Sequence, residues 1–227
     1  MRLKNKVAFV SGGARGMGEA EARLFAQEGA NVTICGRTEA DLRRTEIELA
    51  RVGSQHHVLA IPADLSVARD IRRVVRDTFN RFGQISILVT HVGYGPPGRP
   101  SELNDETILT AFEENFLSGV RFAREVVPYM KQQHWGRIVN LLPQLMHQSG
   151  DGTALSTSSQ MALVGYAKML ANELAPFNIT VNNLVSGPVE TSFLTSSVES
   201  EAQESGRAFD DLMRNTISGI PVGRLGK

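Results

Sequence analysis

Short apolar runs alternate with segments of helical periodicity along most of the chain. The apolar runs are continuous, which is typical of strands buried on both faces of a parallel sheet. Between them, apolar residues recur at the spacing of an amphipathic helix. The pattern predicts strands at Val7–Val10, Asn31–Cys35, His57–Ile61, Ile85–Val89, Arg137–Leu142 and Ile179–Val185.

The intervals between these strands are predicted to be helical. The alternation of strands and helices indicates a doubly wound parallel sheet (the Rossmann fold) with helices on both faces. The length of the chain favours one domain over residues 1–227. The segment from Ser186 to Lys227 is polar and predicted to be mostly loop or short helix. The predicted helices begin at Gly16, after the cap Thr38 and after Asp64-Leu65-Ser66, and they end at Gly29, about Arg51 and Arg81. One long helix, or two in line, is predicted over about 104–133, and a further helix over about 154–175.

Composition excludes several classes of protein. Lys and Arg number 24, Asp and Glu also number 24, and the formal net charge is zero, so no nucleic-acid partner is expected. No apolar run approaches the length of a membrane span, and the polar start of the chain does not look like a signal peptide. Cys35 is the only cysteine, which fits a reducing compartment. We therefore expect a cytoplasmic protein with no membrane partner and no metal site.

The segment Val7–Gly18, with the sequence VAFVSGGARGMG, joins a strand, a glycine turn and a helix start. Glycines let the backbone approach an anion, and a helix N-terminus offers unpaired N–H groups and the positive end of the helix dipole. This combination predicts a seat for the pyrophosphate of a dinucleotide. A plain tight turn, with glycines needed only for positive φ, is the alternative.

The end of the second predicted strand bears on which dinucleotide binds. A carboxylate there would accept a bond from the ribose 2′-hydroxyl of NAD, whereas an arginine would accept the 2′-phosphate of NADP. The sequence has Arg37 and no acid at this point, and Arg15 adds a second guanidinium in the glycine turn. These residues favour NADP(H) over NAD, with solvated surface arginines as the alternative.

Several motifs, in their order and spacing, resemble those of the short-chain dehydrogenase/reductase family over nearly the whole chain. They are the turn Ser11–Gly18, Asp64-Leu65, Asn115, Ile138-Val139-Asn140, Gly165, Val181-Asn182 and the run Ser186–Thr191. The resemblance implies that the glycines shape the pyrophosphate turn, that Asp64 and Leu65 line the adenine, and that Thr191 lies near the nicotinamide. The expected cofactor-binding residues are Ser11, Gly12, Arg15, Gly16, Met17, Gly18, Arg37, Asp64, Leu65, Gly93 and Thr191.

The catalytic positions implied by the resemblance are unusual. The family uses a Tyr as proton donor or acceptor, a Lys four residues later, a Ser and an Asn. Asn115 occupies the Asn position, but counting back from Gly165 places Gln160 at the Lys and Ser156 at the Tyr. Counting from the strand Asn places Pro143 at the Ser. The catalytic candidates are thus Asn115 and Ser156, and Ser156 has no base at Gln160 to activate it.

A few other residues could take the place of the missing Tyr. Tyr94 and His147 lie in loops on the substrate side and could donate a proton. His91, where the family has Asn, is expected to hydrogen-bond into neighbouring strands, and Tyr166 is expected to pack. Glu190 is the one carboxylate expected near the pocket, unless it is solvated.

Three functional hypotheses follow. The first is an NADP(H)-dependent oxidoreductase that transfers hydride to or from a small carbonyl or alcohol at a non-standard site. The second is a nucleotide-binding or scaffold protein without turnover, and the third is an isomerase or lyase that uses the same pocket. The resemblance also implies a homodimer or homotetramer through helices 104–133 and 154–175. The family's closing helix and seventh strand are missing before Lys227, so the chain is either cut short or unusual.

Overall fold

A computed structural model of the protein describes residues 1–53, 57–93, 95–143 and 152–227. The chain forms two compact units, Met1–Val185 and Ser186–Lys227. The first contains a parallel sheet flanked by helices, so the predicted doubly wound fold is confirmed. Its strands are β1 (Val7–Ser11), β2 (Asn31–Gly36), β3 (Val58–Pro62), β4 (Ile87–His91), β5 (Gly136–Pro143) and β6 (Ile179–Ser186).

The strand order in the sheet is β3-β2-β1-β4-β5-β6. The chain therefore winds outward in both directions from the middle, and the order reverses between β1 and β4. The parallel register aligns Ser11 with Cys35 and Thr90 with Asn140 at the carboxyl ends of their strands. Ligands of open α/β sheets bind in the crevice at such a switch point, outside the carboxyl ends of the strands.

Helices cover both faces of the sheet. In β1, Ala8 and Val10 belong to one buried cluster and Phe9 to the other, because successive side chains of a strand point to opposite faces. This explains why the strand is apolar throughout. The helices of the first unit are α1 (Gly16–Gln27), α2 (Glu39–Val52), α3 (Ala68–Phe82), α4 (Asp105–Phe112), α5 (Ser118–Gln132) and α6 (Ala154–Leu174).

The segment predicted over about residues 104–133 as one long helix, or two in line, forms two helices joined by a π-helical turn. Helix α4 starts at the N-cap Asn104, whose side chain accepts a hydrogen bond from the Thr107 N–H. A π-helical turn at Glu113–Leu117 separates it from α5 and contains the buried Asn115. Such turns insert one residue into a helix and are frequent at functional sites.

The second unit contains the short helices α7 (Ser192–Ser205) and α8 (Phe209–Ser218), where the sequence predicts mostly loop or short helix. The Thr191 side chain caps α7 by accepting a hydrogen bond from the Leu194 N–H. The helix forms although serine and threonine have low helix propensity, because a cap and tertiary packing outweigh propensity.

The edge of the sheet is formed by β6, the last strand in the described part of the chain. The missing seventh strand and the single-domain organisation stay predictions. Within the described ranges, no helix is both long and apolar enough to cross a membrane.

Candidate dinucleotide site

The turn between β1 and α1 brings three glycines together. Gly12 and Gly16 have φ angles of +65° and +55°, which favour glycine. A Cβ atom at Gly18 would lie 2.5 Å from the carbonyl oxygen of Gly12, so α1 packs directly against the turn. No described side chain caps α1. The first-turn N–H groups are therefore available to an anion, as the sequence predicts.

The side chain of Ser11, the last residue of β1, contacts the end of β4. Its side chain is buried and accepts a hydrogen bond from the backbone N–H of His91 at 3.0 Å. This bond ties the end of β1 to the end of β4. Met17 is half-buried in the first turn of α1. The assignment of these two residues to the cofactor stays a prediction.

Helix α2 holds the turn from the other side. The carbonyl oxygen of Ala14 accepts hydrogen bonds from Arg44 Nη2 and Thr45 Oγ1, both at 3.0 Å. Arg44 also binds both carboxylate oxygens of Glu19, at 3.1 and 2.9 Å, and this contact is the main reason why the pKa of Glu19 is lowered. Sequence reasoning missed all of these contacts.

The two arginines expected near a 2′-phosphate differ in their surroundings. Arg15 is 65% exposed, and its Nε lies 3.5 Å from Asp41 Oδ2 in the first turn of α2. Arg37 follows β2, is exposed, and makes no ion pair with any residue that the structure describes. Its positive charge contributes to a lowered pKa at Asp64. The end of β2 therefore presents the guanidinium of Arg37 without an ion pair among the described residues, whereas the guanidinium of Arg15, in the turn after β1, is shared with a carboxylate.

Asp64 follows β3 and shapes the turn that leads to α3. Its Oδ1 accepts hydrogen bonds from the hydroxyl and the backbone N–H of Ser66, at 2.7 and 3.0 Å. These bonds are the main causes of its lowered pKa. Helix α3 begins only at Ala68, so Asp64 is not a first-turn carboxylate of that helix. Leu65 packs against the core cluster on one face of the sheet.

The end of β4 approaches the glycine turn. The His91 ring nitrogen Nε2 lies 2.8 Å from Glu21 Oε2 on α1, where a bond into the neighbouring strands was expected. Only its backbone N–H bonds a strand residue, Ser11. A Cβ atom at Gly12 would lie 3.5 Å from that of His91. The side chain of His91 therefore borders the turn.

The residues that the resemblance places at the family's catalytic positions lie beyond the end of β4, near Gly93 and Gly95. Ser156 is 3% exposed, and its Oγ accepts a hydrogen bond from the Gly95 N–H at 2.8 Å. Gln160 is fully buried, and its Nε2 donates to the Gly93 carbonyl at 3.2 Å. Asn115 Nδ2 donates to Ser159 Oγ at 3.1 Å. The Ser156 hydroxyl and the amide nitrogens of Asn115 and Gln160 are therefore engaged with the protein. The Gln160 Oε1 atom is buried and has no hydrogen-bond partner among the described residues.

Further contacts join the loop after β4 to the start of α6. The Gly98 N–H donates to the Gly152 carbonyl at 3.2 Å, and Gly98 forms a bridge with Thr153. A Cβ atom at Gly95 would lie 3.1 Å from that of Leu155. Pro143, at the Ser position, is buried at the end of β5. The loop thus lies directly on the helix that carries Ser156.

The remaining candidates separate into three groups. Tyr94 and His147 lie outside the described residues. Tyr166 packs edge-on against Phe116, with ring centroids 6.3 Å apart, and burial raises its pKa. Glu190 is exposed in the second unit. Among the described residues, no group of three His, Cys, Asp or Glu side chains could hold a metal ion.

The sheet order and the glycine turn before an uncapped helix define a dinucleotide-binding α/β protein. The family model for short chain dehydrogenases matches residues 6–202. The chain belongs to this family, whose members are nicotinamide-dinucleotide-dependent oxidoreductases. The short-chain reductase protein NovJ of Streptomyces niveus is 30% identical over 223 residues, which cover 98% of this chain and 82% of NovJ.

Two solved structures of similar proteins have the same fold as this chain over nearly its whole length. The actinorhodin polyketide ketoreductase, solved as a variant with NADPH, has a TM-score of 0.90 and 30% identity, covering 98% of this chain and 85% of its own. L-Sorbose reductase from Gluconobacter frateurii, solved with NADPH and L-sorbose, has a TM-score of 0.91 and 25% identity. That match covers 100% of this chain and 87% of the reductase.

Proposed function

We propose that the protein binds NADP(H) at the turn after β1 and transfers hydride between this cofactor and a small carbonyl or alcohol, without the Tyr–Lys pair of its family. The geometry of the turn after β1 is the observation that best supports cofactor binding. Gly12, Gly16 and Gly18 leave a cradle beside the uncapped N-terminus of α1, and a Cβ atom at Gly18 would disrupt it. The NADPH in the two similar reductases supports the assignment.

The choice of NADP(H) over NAD(H) rests on Arg37. This exposed guanidinium stands at the end of β2, where a 2′-phosphate would be read, and Arg15 adds a second positive charge. We expect NADPH to bind more tightly than NADH in direct calorimetric titrations.

Arg37→Gln tests this choice. It should weaken NADPH binding about tenfold, which corresponds to one charged hydrogen bond, and leave NADH binding unchanged. Arg69→Gln, which removes an exposed arginine of α3, is the matched control and should change neither affinity. Tighter binding of NADH than of NADPH by the unmodified protein would refute the assignment.

When bound, the nicotinamide supplies the hydride chemistry. By the alignment that the resemblance implies, Ser156 and Gln160 stand where the family has its Tyr and Lys, and both side chains are buried and bonded to the loop after β4. General acid–base catalysis contributes about 10²–10⁴-fold to a rate. We therefore expect slow turnover, measured as the change in nicotinamide absorbance with a panel of ketones and alcohols.

A second function, cofactor binding without turnover, is favoured by one observation. The Ser156 hydroxyl and the Gln160 amide nitrogen are already engaged with Gly95 and Gly93, so they hold the loop that would border a substrate. Tight NADPH binding with no absorbance change across the panel would support this function and refute hydride transfer.

Restoring the family residues separates the two functions further. The triple variant Pro143→Ser, Ser156→Tyr and Gln160→Lys should gain carbonyl reduction if cofactor and substrate sites are otherwise intact. The matched control carries Pro143→Ser and Ser156→Tyr with Gln160→Leu, and it lacks the cation that lowers the pKa of the Tyr. Equal activity of the triple variant and this control would contradict the role given to the missing Lys.

We also propose a homo-oligomer through helices α4 to α6. Large apolar side chains are exposed there, with Leu109 at 66%, Met161 at 48% and Met169 at 66%. Water-exposed apolar area of this kind marks contact surfaces. Light scattering should give a dimer or tetramer, and Met161→Glu with Met169→Glu should reduce its mass. A monomer at micromolar concentration would contradict the proposal.

A further inference from the structure

One carbonyl of the glycine turn is held by two side chains from a different helix. The Ala14 oxygen accepts hydrogen bonds from Thr45 Oγ1 and Arg44 Nη2, each at 3.0 Å. Thr45 is completely buried and Ala14 is 8% exposed, so water does not compete for the threonine bond. The two donors are adjacent residues of α2, about thirty positions along the chain from the turn.

The contact at the Ala14 carbonyl also determines where the Arg15 N–H points, because both groups belong to one peptide unit. The described peptide bonds are all trans, so the C=O and N–H of one peptide unit point in opposite directions. Since the Ala14 carbonyl points towards α2, the N–H of Arg15 points away from it. Arg15 is the N-cap residue of α1, so this N–H lies beside the first-turn N–H groups that are available to an anion.

Arg44 makes a second contact, with Glu19, which changes the charge that an anion would meet at the N-terminus of α1. Glu19 lies in the first turn of α1, where its negative charge would oppose a phosphate. Arg44 binds this carboxylate through two nitrogens, at 3.1 and 2.9 Å, in the bidentate form that gives the strongest pairing. Glu48, on α2, approaches the same guanidinium at 3.6 Å, and Arg23 adds a positive charge near Glu19.

We propose that Thr45 and Arg44 are positioning residues for the cofactor phosphates. Thr45 fixes the orientation of the Ala14–Arg15 peptide, and Arg44 fixes the same peptide while it neutralises Glu19. Neither side chain is required to touch the cofactor. The inference rests on the proposed function, because the phosphate in question belongs to NADP(H).

The first test replaces Thr45 by Val, which keeps the shape of the side chain and removes its hydroxyl. The dissociation constant for NADPH, measured by calorimetry, should rise about 3- to 10-fold, the range expected for one lost hydrogen bond. Thr45→Ser, which restores a hydroxyl, should bind like the unmodified protein. The matched control is Thr78→Val on α3, which removes an equally buried hydroxyl that bonds the Val74 carbonyl at 2.7 Å.

A merely structural role for Thr45 predicts a different result. Both valine variants lose a buried hydrogen bond, so both should unfold at lower temperature. Only Thr45→Val should weaken NADPH binding. If the two variants bind NADPH equally well, the proposal for Thr45 is wrong.

The second test uses Arg44→Met, which also covers the case in which Thr45→Val fails to fold, since the Arg44 side chain is 45% exposed. We expect a loss of NADPH affinity of about tenfold or more, because a bond to the turn is lost and Glu19 is left unpaired. Adding Glu19→Gln should recover part of this loss. Arg76→Met, on an exposed arginine of α3, is the control and should have no effect.

The outcomes separate this inference from the proposed function. No NADPH binding by the unmodified protein would overturn both. Normal binding by the unmodified protein and by Arg44→Met would overturn only the positioning role. A loss in Arg44→Met that Glu19→Gln does not reduce would overturn the neutralisation of Glu19.

Discussion

Replacing Gly18 by Ala is the most direct perturbation of the dinucleotide site. The added Cβ would lie 2.5 Å from the Gly12 oxygen, 3.0 Å from the Gly12 carbonyl carbon and 3.1 Å from Gly13 Cα. All three atoms are backbone, so no side chain can rotate away. Either the turn or the start of α1 has to move. Forcing one extra carbon into a packed site costs about 1–3 kcal/mol.

This cost has a measurable size in thermal unfolding. For a chain of this length, each kcal/mol shifts Tm by about 2–4 °C, so Gly18→Ala should lower Tm by about 2–12 °C. NADPH affinity should fall at the same time, by about tenfold or more, because a displacement of the turn misplaces the N–H groups that we propose bind phosphate.

Gly165→Ala is the matched control. Gly165 lies inside α6, and a Cβ there would meet nothing within 4 Å. This substitution should raise stability by about 0.5–1 kcal/mol, since glycine is a poor helix former. If Gly18→Ala unfolds and binds NADPH like the unmodified protein, the close packing of α1 on the turn does not hold the site together.

Three further predictions concern the first unit. The lowered pKa of Asp64 stabilises the fold above its ordinary value of 3.8, and this contribution is lost as the pH falls. Asp64→Asn should therefore destabilise the protein in urea more at pH 7 than at pH 3, and an equal loss at both values would contradict the assignment. Burial raises the pKa of Cys35 to about 12, so a disulfide reagent at pH 8 should react only after unfolding, and rapid reaction of the folded protein would contradict this. Leu163→Ala, at a core position that is 1% exposed, should cost about 2–5 kcal/mol in urea unfolding, and a loss below about 1 kcal/mol would mean that the core closes around the gap.

Much of the fold could be predicted because the strands are continuous apolar runs. Such runs separate clearly from amphipathic helices, and the observed β4 at Ile87–His91 differs little from the predicted Ile85–Val89. The start of α3 was predicted closely too, since a helix was expected after Asp64-Leu65-Ser66 and α3 begins at Ala68. The π-helical turn at Glu113–Leu117 could not be predicted, because one inserted residue barely changes the apolar spacing.

The candidate site was predictable only where it is local in sequence. The glycine turn is read from adjacent residues, and positive φ at Gly12 and Gly16 is what such a turn requires. The bonds from Arg44 and Thr45 depend on how α2 is placed against the turn, which no short motif encodes. The partner of His91 depends in the same way on α1, and it is Glu21 on that helix.

The contacts between the loop after β4 and the start of α6 have a consequence for local opening of the chain. Residues 93–98 are rich in glycine and proline, a composition typical of segments that exchange their amide hydrogens quickly and are cut readily by proteases. Here the Gly95 and Gly98 N–H groups donate to Ser156 and Gly152. These two amides should exchange slowly with solvent deuterium, on the timescale at which the loop separates from α6.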